Sequence, residues 1–135
     1  EGPNTERESH VINLSVAQVE SKMACLIAAI ENNIGVQPKS FRTGRWGINS
    51  AALKIAAEAN FEVDSSIYPF YKNEYFSCYQ SNYTPYWPSF DNPDTAGPQR
   101  QIFEIPVTAG FNHTHFKFWS NSNFTSCINH LQCVI

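Results

Sequence analysis

Charge is scarce in this chain. Only 16% of its 135 residues are Asp, Glu, Lys or Arg, and the net formal charge is −3. The nine Lys and Arg residues are scattered, with Lys39, Arg42 and Arg45 as their densest group. A nucleic-acid footprint needs a basic face or stripe, so this spacing argues for no nucleic-acid partner. Long apolar runs are also missing. The longest, Met23 to Ile30, is far short of the roughly 20 residues a membrane span needs, so no membrane span is expected. The four cysteines, Cys25, Cys78, Cys127 and Cys133, contain no C-x-x-C pair, which argues against a structural zinc knuckle. They are too few for a disulfide scaffold and fit either one isolated disulfide or buried thiols. No nucleophile elbow, P-loop or dinucleotide-binding glycine pattern occurs.

What is present is the material of one globular domain. A 42% hydrophobic content excludes wholesale disorder, and 135 residues suit a single domain of the usual roughly 100–150. Four N-x-S/T triplets, at Asn13, Asn82, Asn112 and Asn123, do not fix a compartment, since about two arise by chance at this composition.

After a polar lead-in of ten residues, Ser15 and Gln18 form a capping-box pair. Val16, Val19, Met23, Leu26, Ile27 and Ile30 then fall at helical spacing, which predicts a helix over 15–33 with Gly35 as its C-terminal cap. Ser40-Phe41-Arg42 reads as a short strand. Asn49 or Ser50 can cap a second, Ala-rich helix over 50–59, and 61–64 alternates as a strand.

Residues 68–90 hold ten of the nineteen aromatics, three prolines, and only Lys72 and Glu74 as charges. No period of two or 3.6 survives there, so the segment reads as a long structured loop, closed by turns up to residue 100. Gln101 to Val107 alternates again, with Ile102, Glu104 and Pro106 on one face, and a weak last helix follows Ser122. From Ile105 onward the only formal charge is Lys117. Alternating helices and strands predict an α/β fold with parallel strands. Three short strands do not complete a sheet, so part of a larger fold is expected, with self-association through unpaired sheet edges.

The most distinctive string is Ser40-Phe41-Arg42-Thr43-Gly44-Arg45-Trp46-Gly47, between a strand and a helix. In α/β barrels such loops carry function. Arg42 and Arg45 can hold a carboxylate or donate to sugar hydroxyls, and Trp46 offers a stacking face; a plain strand-to-helix turn is the alternative. Asp64-Ser65-Ser66 occupies the same position after the next strand, where Asp64 either meets substrate or caps a turn. On a strand His113 and His115 would share a face and could ligate one metal ion, but no carboxylate or third histidine stands near in sequence, so they read as solvated. His10 and His130 are isolated.

PKSFRTGRWGIN, followed by FEVDSSIYPF, resembles the polysaccharide deacetylases of carbohydrate esterase family 4, in a branch with S-F-R-x-G-R-x-G and D-S-S motifs. The preceding helix and QIFEIPVTAGF are similar to that branch too, so the likeness covers about residues 10–112. Asn60 departs from it, standing where the branch usually has Gly. The resemblance implies a distorted (β/α) barrel and a divalent metal, zinc or similar, held by one Asp and two His. The metal would activate water against N- or O-acetyl groups of a polysaccharide or oligosaccharide. It implies that Arg42 orients the base, that Asp64 serves the catalytic centre, and that Arg45 and Trp46 bind substrate. The paired-aspartate motif, the metal-binding histidine pair and the closing Leu-x-His motif are absent; His130 precedes Leu131. The chain is therefore expected to be an internal fragment spanning 1–135 as one partial domain, binding no metal and inactive alone. The alternatives are a non-catalytic carbohydrate-binding module using the aromatic loop 68–90, and a deacetylase-like interaction domain.

Overall fold

The computed structural model describes residues 6–109. Two short 3-10 turns, Arg7–Ser9 and Val11–Asn13, lead into helix α1, Val16–Ile34. Its start is fixed as the sequence indicates: Ser15 Oγ accepts the Gln18 amide, and Gln18 Oε1 accepts the Ser15 amide at 2.9 Å. Gly35 ends it with φ of +78°, where a side chain would be strained. Strand β1 (Ser40–Phe41), helix α2 (Ser50–Glu58), strand β2 (Val63–Asp64) and strand β3 (Phe103–Glu104) follow. Asn49 caps α2 by accepting the Ala52 amide at 2.9 Å.

The strands form a parallel sheet in the order β1-β2-β3, with Phe41 opposite Asp64 and Asp64 opposite Glu104. Both strands at 40–41 and 63–64 are shorter than the sequence suggests, because parallel pairing lasts only where both neighbours stay in register. α1 and α2 bury Val19, Met23, Ala52, Leu53 and Ala56 against Phe61, Ile67 and Ile102. Ala52 and Ala56 are fully buried where α2 packs against α1. Much of α1 faces outward, with Val16, Leu26 and Ile34 exposed.

Residues 68–100 contain no helix or regular strand, only isolated antiparallel bridges. One of these, Tyr86 with Glu104, exchanges two backbone hydrogen bonds of 3.0 and 2.9 Å. The loop thereby covers the outer edge of β3. Among the described residues no strand pairs with the other side of β1. Asn60 adopts φ of +62°, the left-handed conformation that Gly adopts freely and Asn tolerates best among other residues. That is a physical reason for an Asn/Gly exchange there. No described helix is long and apolar enough to cross a membrane. His113, His115, His130, Cys127, Cys133, the helix after Ser122 and most of the apolar tail lie outside the described residues.

Candidate functional site

Parallel pairing of β1 with β2 brings two loops to one end of the sheet: 42–47, leaving β1, and 65–67, leaving β2. They are stitched together by backbone and hydroxyl groups. The Thr43 amide donates to Ser66 Oγ at 3.0 Å, and the Gly47 amide donates to the Ser66 carbonyl at 2.8 Å. The Thr43 hydroxyl, donating to the Gly47 carbonyl, closes the first loop on itself. Gly47 has φ of +70°, and a Cβ there would stand 2.7 Å from the Phe76 ring, so only glycine lets the aromatic loop settle on this turn.

Arg42 is exposed and reaches across to the second loop, donating to Ser65 Oγ at 3.1 Å. Its guanidinium carbon lies 5.0 Å from the centroid of the Trp46 ring, a cation–π contact. Trp46 is half-buried with φ of +60°, which turns its ring into the groove beside Tyr68, 5.6 Å away. Arg45 is exposed and lies 3.5 Å from Glu6. Arg42, Arg45 and Trp46 thus share one surface.

Asp64 does not join them there. It is fully buried, and its Oδ1 accepts the Ser66 hydroxyl at 2.5 Å. Beside it lies the carboxyl of Glu104, itself 1% exposed, while the Ser65 amide donates back to the Phe41 carbonyl at 3.0 Å. Glu104 Oε1 accepts the Ile67 amide at 3.2 Å. Two carboxyl groups in contact and out of water cannot both ionise. Burial, then the Asp64 charge, pushes the Glu104 carboxyl up to about 10; burial also raises Asp64. Asp64 Oδ2 receives no conventional donor among the described residues, and one proton held between the carboxyls would supply it. Asp64 is therefore an internal anchor of the loop at 65–67, and Arg42 is hydrogen-bonded to the neighbouring Ser65.

Glu104 was not among the expected site residues. The signal for it was an acidic residue on the same strand face as the apolar Ile102 and Pro106. His10 was also passed over as isolated. It is 5% exposed and packs at a tilt against Tyr75, 4.3 Å between ring centroids. Nothing in sequence spacing marks that contact, which links two distant loops. Together with Glu6, Arg45, Trp46, Tyr71 and Glu74, these two line a cleft of about 500 Å³.

No family model, curated protein or solved structure matches the chain.

Proposed function

We propose that the chain forms the carbohydrate-binding wall of a metal-dependent polysaccharide deacetylase, its three parallel strands being one arc of a distorted (β/α) barrel. The observation that carries this reading is the Arg42 guanidinium, exposed at the carboxyl end of the sheet between Trp46 and Ser65. A sugar ring stacks on an indole face, and a guanidinium donates in a fixed fork to acetyl carbonyl and hydroxyl oxygens. The ligand is an acetylated polysaccharide or oligosaccharide, with Arg42, Arg45 and Trp46 as its contacts. Asp64 is a positioning residue that holds the loop carrying Ser65.

The deacetylase resemblance implies a metal held by one Asp and two His. Among the described residues no three His, Cys, Asp or Glu side chains come together, and Asp64 is committed to Ser66 and Glu104. These residues do not fit a metal centre. The alternative of a stacking platform on 68–90 is weaker, because those rings largely face one another: Tyr68 stacks on Tyr71 at 4.9 Å and Phe70 on Tyr83 at 6.0 Å. Self-association through a sheet edge has β1 as its edge, since the loop occupies that of β3.

Calorimetric titration of the chain with N-acetylated and O-acetylated oligosaccharides tests the reading. Binding of one of them is expected, weakened at least tenfold by Trp46→Ala and several-fold by Arg42→Ala. Failure of both ligands to bind, or binding indifferent to both substitutions, overturns it.

A further inference from the structure

Trp46 stands where its residue type resists standing. Its turn has two consecutive residues in the left-handed region, Trp46 at φ of +60° and Gly47 at +70°. Glycine enters that region freely, whereas a bulky side chain crowds its own backbone there. A second glycine, or asparagine, would make the same turn with less strain. A backbone outlier of this kind marks function, and it lasts only where the surroundings over-determine it.

The contacts that hold it converge on Thr43, which is 5% exposed. The Thr43 carbonyl accepts the Trp46 amide at 3.4 Å, and the Thr43 hydroxyl donates to the Gly47 carbonyl at 3.1 Å. One residue thus grips the turn before and after the indole. The Thr43 amide donates to Ser66 Oγ, which ties the gripped turn to the loop after β2. Only the bond to Gly47 uses the Thr43 side chain, and removing it leaves a buried carbonyl without that donor. Thr43 also follows Arg42 directly. With the turn held, the Arg42 guanidinium lies 5.0 Å from the indole centroid, and Tyr68 backs the same ring at 5.6 Å. The S-F-R-x-G-R-x-G motif leaves the Thr43 position open, so the resemblance assigns this residue nothing.

We propose that the Thr43 hydroxyl is a positioning group: it holds Trp46 in the left-handed conformation and so sets the indole against the Arg42 guanidinium before any ligand arrives. This rests on the carbohydrate reading above for the ligand, but not for the geometry. Without the hydroxyl the turn relaxes toward negative φ at residue 46, and the ring leaves Arg42 and Tyr68. Both ligand-binding side chains are then still present, but no longer preorganised.

The side-chain protons of Arg42 report this arrangement, because an aromatic ring so close shifts them upfield in an NMR spectrum. Trp46→Ala supplies the unshifted reference. In the full chain, Thr43→Val should lose most of the shift, and Thr43→Ser, which restores a hydroxyl, should keep it. A purely structural role would lower the melting temperature of Thr43→Val and leave the shift of the folded variant unmoved. Calorimetry with the acetylated oligosaccharide that the unmodified chain binds should show affinity reduced about fivefold in Thr43→Val and restored to within about twofold in Thr43→Ser. Thr43→Cys keeps a weaker donor and is read instead if the valine variant does not fold; its shift should fall between those of Thr43→Ser and Trp46→Ala. An unchanged shift in Thr43→Val, or equal losses in the valine and serine variants, overturns the proposal. So does a lost shift with unchanged affinity. If the unmodified chain binds neither N-acetylated nor O-acetylated oligosaccharide, the carbohydrate reading falls, and the shift alone decides whether Thr43 sets the ring.

Discussion

The strand ends and the aromatic loop stabilise themselves in opposite ways. At the strand ends, Asp64 and Glu104 lie at 0% and 1% exposure, held by the Ser66 hydroxyl and the Ile67 amide. In residues 68–100 the backbone has almost no regular pairing, and order comes from rings set against rings and from turns. The first arrangement fails sharply when one member is removed, because a buried polar partner is left unsatisfied. The second spreads its stabilisation over many weak contacts and tolerates single losses.

The sharpest break of that contrast is Glu104→Ala. It removes the acceptor of the Ile67 amide and the partner of Asp64, so the remaining carboxylate is buried alone. A loss of about 3–4 kcal/mol is expected in urea denaturation, while Glu104→Gln, which keeps a donor and an acceptor, costs about 1 kcal/mol. Equal losses in the two variants would mean that volume, not hydrogen bonding, is what the site supplies.

Both regions had some signature in the sequence, of different quality. Ser15 with Gln18, and Asn49, announce the helix starts because a cap is a local event, decided within four residues. Arg42 and Trp46 were legible because both leave the same strand end. Glu104 was half-legible: alternation put it on one face with Ile102 and Pro106, but not which face is buried, and only the register opposite Asp64 explains why a carboxyl can stay there. The aromatic loop was legible only as a loop. Its partners are set by contacts such as Phe76 on Gly47 and His10 on Tyr75, which no period encodes. The left-handed backbone at Trp46 and Phe70 was equally hidden, since neither residue type favours it.

Gly47 is where the two regions meet, and Gly47→Ala should cost about 2–3 kcal/mol. The cost has two parts: a positive φ that alanine resists, and a Cβ placed 2.7 Å from Phe76. Pairing the change with Phe76→Leu should recover the steric part and leave the backbone part. If the double variant recovers nothing, the ring is not what confines that turn.

The pH dependence of stability isolates the carboxyl pair. Glu104 ordinarily titrates at 4.5 and in the folded chain at about 10. Between those values the native state holds a proton that the unfolded state has released. The contribution is therefore fully present below about pH 4.5 and is lost as pH rises toward 10. The slope for this proton is at most about 1.4 kcal/mol per pH unit. Glu104→Gln should flatten the difference between melts at successive pH values. A slope unchanged in that variant assigns the titration to another group.

The smallest expected effects lie inside the aromatic loop and divide it in two. Tyr86 is buried, and its hydroxyl donates to the Pro93 carbonyl at 2.6 Å, with burial holding the phenol far above its ordinary range. Tyr86→Phe leaves that carbonyl without its donor and should cost about 1 kcal/mol. Tyr83, by contrast, is 69% exposed and touches the loop through Phe70, so Tyr83→Ser should cost about 0.5 kcal/mol or less. A ring can thus be lost from the outside of this loop more cheaply than one oxygen from its inside. Chemical denaturation of the two variants side by side decides the matter. If Tyr83→Ser proves the costlier change, the exposed rings bear the packing, and the loop is held together from its surface inward.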